Sequence, residues 1–161
     1  SSKQVKTDST HIKKEVDSLL VSWHQAATDA DFNAYFGFLD IDAFYIGTAA
    51  EEVWTKKQFA GFAKPYFNKG KAWSFKTLER SIYVNSTGDF AWFDELLDTW
   101  MGTCRGSGIL EKTKSRCSRS YFLLYTISFF RKRKKDAVSI RAKFNCKLLF
   151  LRSYLINNLV N

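Results

Sequence analysis

The feature that most constrains this chain is a change of apolar period near residue 72. Before it, apolar residues recur every three or four positions; after it they alternate, and these are the side-chain periods of helix and strand. Ile12, Val16, Leu19, Leu20, Trp23 and Ala27 predict a long first helix with Ser9 or Thr10 as N-cap. Asp29 and Asp31 can cap a shorter second helix with Phe32, Tyr35, Phe36 and Leu39 on its apolar side, and Asp40 to Asp42 should break the pattern. Ala43 to Thr48 reads as a short first strand. Thr55-Lys56-Lys57-Gln58 matches a capping box and opens a third helix with Phe59, Phe62 and Ala63 on one face. Pro65 lacks a backbone donor and should kink or end that helix, with Asn68 to Gly70 completing the break. Three long strands follow, over Ala72 to Val84, Phe90 to Trp100 and Thr103 to Lys112. Asn85 to Asp89 and Met101-Gly102 supply the small turn residues that hairpins need. The expected class is α+β, with helices in front and a curved, mainly antiparallel sheet behind.

A length of 161 residues fits one domain. The aromatic share of 17% predicts a ring-rich core. The net charge of +9 invites a nucleic-acid reading, but residues 1 to 112 hold 13 Lys and Arg against 15 Asp and Glu, so the excess lies in the tail. The run Arg131 to Lys135 has no nucleic-acid motif beside it, and no specific nucleic-acid partner is expected. Cys104, Cys117 and Cys146 form neither a disulfide framework nor a zinc pattern, and no metal or other cofactor is expected. No apolar run reaches the 18 residues of a membrane-spanning helix. The organisation expected is a tether over 1–9, a domain over 10–130 and a basic tail over 131–161. The polar Ser/Lys-rich start without methionine resembles the stretch after the lipidated cysteine of bacterial surface lipoproteins. That implies a removed leader and a tethered periplasmic or surface location, with the cytoplasm as the alternative.

Several local sequences together resemble the SnoaL-like branch of the nuclear transport factor 2-like, or cystatin-like, superfamily, over about residues 10 to 112. They are Trp23-His24-Gln25-Ala26-Ala27, Asp31-Phe32, Trp54-Thr55, Phe62-Ala63-Lys64-Pro65-Tyr66-Phe67, Lys71-Ala72-Trp73, Ala91-Trp92-Phe93-Asp94-Glu95 and Cys104-Arg105-Gly106-Ser107-Gly108. The resemblance implies a cone: three N-terminal helices in the concave face of the sheet, a pocket at the open end, and a homodimer through the sheet's outer face. It does not imply one function, because the superfamily includes isomerases, dehydratases, cyclases and protein-binding transport factors. After Lys114 the chain departs from the family's usual last strand and reads as a replaced C-terminus, by frameshift, read-through or otherwise. Within it, Tyr121 to Phe130 is apolar and β-prone enough to serve as the last strand.

Trp23, Tyr45, Trp54, Phe62, Tyr66, Trp73 and Trp92 are the candidate ligand-binding rings, suited to a flat apolar molecule; the plain reading of any one is core filler. Asp94, Glu95, Arg105 and His24 are the candidate catalytic residues. Alternation puts Asp94 and Glu95 on opposite faces, so only one can point inward, and Arg105 lies on the next strand. The plain alternatives are a surface ion pair and a structural histidine. The acid and tyrosine of the superfamily's ketosteroid isomerases fall near Gly47 and Trp23 here, so that mechanism is unsupported. The sequence therefore predicts a small-molecule-binding domain, with an isomerase- or cyclase-like enzyme acting on a small hydrophobic substrate, or a partner-binding dimerisation module, as alternatives.

Overall fold

The structure is a computed structural model that describes residues 9–47, 50–114 and 120–131. Of the expected tether over 1–9 and basic tail over 131–161, residues 1–8 and 132–161 lie outside the described residues, as do Cys117 and Cys146, while Ser9 starts the first helix and Arg131 ends the last described strand. Helices α1 (Ser9–Thr28), α2 (Phe32–Gly37) and α3 (Lys56–Asn68) pack against a curved, mainly antiparallel sheet. Its strands are β1 (Leu39–Ile46), β2 (Val53–Thr55), β3 (Lys76–Val84), β4 (Phe90–Thr99), β5 (Gly102–Lys114) and β6 (Ser120–Arg131), in the spatial order β2-β1-β6-β5-β4-β3.

The helices form for the reasons their sequences give. The α1 stripe Ile12, Val16, Leu20, Trp23 and Ala27 is buried, and His24 is carried in beside it. Asp31 caps α2 by accepting the Ala34 amide at 2.9 Å. Thr55 Oγ1 accepts the Gln58 amide at 3.3 Å while Gln58 Oε1 accepts the Thr55 amide at 2.9 Å, which completes the capping box of α3. Pro65 does not end α3. The carbonyl of Gly61, four residues back, loses its amide partner, but both residues are exposed, so water can serve it and the helix runs on to Asn68. Gly70, at φ 69°, then turns the chain away.

The first strand also differs from the sequence pattern. It starts at Leu39, because the Asp40 carboxylate accepts the Asp42 amide at 2.9 Å and the acidic triplet becomes an irregularity inside β1 rather than a break. The register with β6 shifts between Leu39 and Phe44, where that irregularity lies. Strand β2, too short to show alternation, pairs Trp54 with Tyr45. Strand β3 begins at Lys76 rather than Ala72; the residues before it have no regular structure and carry Trp73 back over the helices.

On β4, Ala91, Phe93, Glu95 and Leu97 are buried in strict alternation and define the inner face. The turn at 85–89 is closed by Asn85 Oδ1, which accepts the amides of Gly88 at 2.9 Å and Phe90 at 3.2 Å. It puts Arg80 opposite Glu95 and Ile82 opposite Phe93. Strand β6 lies antiparallel to β5 and parallel to β1, with Phe122, Leu124 and Ile127 each at most 1% exposed among the core residues. Burying an apolar side chain of this size contributes about 1.5–3 kcal/mol.

Candidate functional site

Two groups of side chains meet on the inner face, one of rings and one of charges. The ring group runs from the core to the surface. Trp23 and Tyr35 stack with centroids 5.1 Å apart, Tyr35 meets the Trp73 edge at 5.5 Å, and Trp73 lies 6.1 Å from Phe59. Phe59 stacks on Tyr45 at 4.1 Å, Tyr45 on Trp54 at 5.7 Å, and the chain continues through Phe62 at 4.8 Å to Tyr66 at 5.5 Å. Trp23 is fully buried, whereas Phe62 and Tyr66 are 49% and 46% exposed. Every ring singled out in the sequence except Trp92 belongs to this chain. Trp92 points to the other face of the sheet, where it stacks on Tyr83 at 5.6 Å, because alternation along β4 turns it away from its buried neighbours.

The two links not anticipated as site residues are Tyr35 and Phe59, whose helical spacing marks them equally as core. Burial pushes the Tyr35 hydroxyl well above its ordinary pKa, with the Trp73 indole pulling the other way. Tyr45 is pushed up to about 12 by burial and then by the Glu52 carboxylate. Both phenols therefore stay neutral donors through the physiological range.

The charged group is centred on Glu95, whose side chain has no solvent exposure. His24 Nε2 lies 2.7 Å from Glu95 Oε1. Arg80 donates to Glu95 Oε2 from Nε at 2.9 Å, with Nη2 2.7 Å away. The guanidinium also donates to Asp17 Oδ1 at 2.7 Å and to Thr77 Oγ1 at 3.1 Å, which links the buried carboxylate to the protein surface. Burial alone would raise the Glu95 pKa, but the hydrogen bond and charge of His24, together with the Arg80 guanidinium, bring it below the ordinary carboxylate value. With Glu95 ionised, Nε2 of His24 is the nitrogen that donates to it. Arg80 and Asp17 were not singled out in the sequence. The signal available was the hairpin register across the turn at 85–89, which pairs Arg80 with Glu95.

Asp94 and Arg105 do not join this group. They form an ion pair with each other on the outer face, where the Arg105 side chain is 52% exposed. Among the described residues no three His, Cys, Asp or Glu side chains converge as metal ligands. A surface depression of about 490 Å³ is lined by Lys13, Lys14, Asp17, Arg80 and Ile82, and another of about 420 Å³ includes Val21, Ala26 and Phe38; both are open to solvent. No described helix is long and apolar enough to cross a membrane.

This geometry agrees with the outcome of comparison with known proteins: the model of the SnoaL-like domain matches residues 16–117. The chain belongs to the SnoaL-like domain family. Curated proteins supply no match. Among solved structures, the SnoaL-like chain is similar to an NTF2-like protein of unknown function from Pseudomonas putida, with 12% identity, a TM-score of 0.60, and 79% of this chain and 91% of that one covered. It is similar to an NTF2-like protein from Cytophaga hutchinsonii at 13% identity and a TM-score of 0.60, covering 74% and 98% of the two chains. A Nostoc punctiforme protein with a cystatin-like fold, of unknown function, aligns at 13% identity and a TM-score of 0.57, over 73% of this chain and 88% of that one. At such identities the likeness shows the fold.

Proposed function

We propose that this SnoaL-like domain binds a small, flat, largely apolar molecule against the ring chain Tyr45, Trp54, Phe62 and Tyr66, with Trp73 and Trp23 behind it. The observation that carries the reading is the continuity of that chain from the fully buried Trp23 to the half-exposed Phe62 and Tyr66. Core fillers end at the surface, whereas a row of adjoining exposed rings keeps apolar area in water that a flat ligand would cover. Ligand-observed NMR with a panel of planar bicyclic compounds tests it. Binding that is lost in both Trp54→Ala and Phe62→Ala supports the reading; binding that survives both substitutions overturns it.

The buried pair His24 and Glu95 favours a second reading, an isomerase- or cyclase-like enzyme. Glu95 fixes the ring and its donating nitrogen, and His24 moves a proton through Nδ1. In this reading Asp94 and Arg105 have no catalytic part, since they lie on the other face. Turnover of any bound ketone that disappears in His24→Gln while binding remains would establish it. For quaternary structure, Tyr83 and Trp92, stacked on the outer face, support a homodimer through that face. Light scattering should give the dimer mass, and the monomer mass for Trp92→Asp; a monomer in the wild type removes the dimer.

A further inference from the structure

Arg80 serves two carboxylates at once. Its Nε and Nη2 hold the buried Glu95, while Nη1 turns to Asp17, which lines the open depression between the first half of α1 and the edge strand β3. The two acids are held differently, since Glu95 has no side-chain exposure and the Asp17 side chain is 54% exposed. Arg80 itself is only 7% exposed and is fixed by Glu95 and by Thr77 Oγ1, so it presents a preset positive edge to the depression. Lys13 and Lys14 line the same depression, whose volume is about 490 Å³. Lys13 stands one helical turn before Asp17, a spacing at which opposite charges meet, yet Asp17 is turned to Arg80. Neither lysine forms an ion pair with a described residue, and the first turn of α1 has no acid to answer them. Three cations therefore share this depression with one loosely held carboxylate.

An anion entering here would take the Nη1 edge of Arg80 as Asp17 turned out into water. A carboxylate would only replace the charge that Asp17 already supplies. A phosphate monoester brings about two negative charges at neutral pH and three acceptor oxygens, one for the guanidinium and one for each ammonium group. The depression is far larger than a phosphate group, and the half-buried Ile82, with the methylene stems of the lysines, gives an attached organic group an apolar wall. We propose that this depression binds a small organic phosphate monoester, held by Lys13, Lys14 and Arg80 in competition with Asp17. The site is separate from the ring chain and does not depend on the binding reading above. Because Arg80 also holds Glu95, which in turn holds His24, the His24 ring reports on its occupation.

Phenyl phosphate is the probe, titrated into the isotope-labelled full chain at ~150 mM salt, which screens the basic run Arg131 to Lys135. Affinity is read by NMR at the amides of Lys13, Lys14 and Ile82, so that phosphate held elsewhere on the chain is not counted. These amides should shift along one saturable curve, and the His24 ring nitrogens should follow it. Affinity should fall about three- to tenfold in the double variant Lys13→Gln, Lys14→Gln, and rise in Asp17→Asn. All three positions are exposed, and thermal melting checks that the variants are folded. A second double variant, Lys69→Gln with Lys71→Gln, removes the same charge from another exposed stretch and should leave the affinity unchanged. An equal loss there reduces the effect to overall charge and overturns the site, as does the absence of a saturable shift at the three amides. Equal affinity for inorganic phosphate overturns the ester and assigns the depression to free phosphate. Amide shifts without movement of the His24 nitrogens would remove Arg80 and overturn the three-cation site in favour of a lysine patch.

Discussion

Asp94 and Glu95 are adjacent on β4 and each meets an arginine, so their chemistry is nearly identical. Their surroundings are opposite. Asp94 pairs with a half-exposed Arg105 on the outer face, where water competes for both charges. Glu95 has no exposure and depends on Arg80 and His24 to remain ionised. The pairing of β4 with α1 above and β3 beside it decides which acid becomes an internal charge. An arginine across the hairpin is therefore weak evidence of a site until the face is known.

The comparison can be broken most forcefully at Glu95. Replacing it with alanine takes the buried carboxylate from His24 and leaves Arg80 with Asp17 as its one carboxylate partner among the described residues, and should destabilise the domain by about 3–5 kcal/mol, read from urea unfolding. Replacing the group together, as Glu95→Leu, Arg80→Met and His24→Phe, should recover most of that loss. A folded triple variant that still binds planar ligands but turns nothing over would assign the charges to chemistry; one that fails to fold would make them structural.

A smaller effect separates the two acids by pH. The Glu95 pKa is depressed in the folded protein, so its contribution is complete above its unfolded value of about 4.3 and is lost as pH falls through the folded one. Urea midpoints should drop in acid below that point, and Glu95→Gln should flatten this limb. Equal acid sensitivity in the wild type and in Glu95→Gln would contradict the direction of the shift. Smallest of all, Asp94→Ala should change stability by less than about 1 kcal/mol, since exposed pairs are screened. A loss as large as that of Glu95→Ala would show that the outer face is covered in solution.

Much of this architecture is legible in the sequence, because period, caps and turns are local. The α1 stripe, the Thr55 capping box and the glycine-bearing hairpins follow from neighbouring residues alone. Three departures have non-local or backbone causes. Pro65 stays helical because its side of α3 faces water. The Asp40 carboxylate folds onto a nearby amide and keeps β1 continuous. Residues 72–75 follow a strand-like pattern but are drawn toward the helices by Trp73. In the candidate site, the rings could be listed from composition, but Trp92 could be separated from them only by the phase of β4. Arg80 was readable in principle from hairpin register, whereas Asp17 reaches it across 63 positions of sequence, a contact that no local pattern encodes.

Strand β6 is hydrogen-bonded between β1 and β5, so two parts of the sheet made earlier in the chain have no backbone contact with each other until it arrives. During synthesis, β1 with β2 and the meander from β3 to β5 emerge first, each with an unpaired edge and half of an apolar face in water. Pairing of Leu39 with Leu124 then spans most of the unit in a single step. A nascent chain held before residue 120 should therefore be a chaperone client, and the domain should acquire its protease resistance late and all at once.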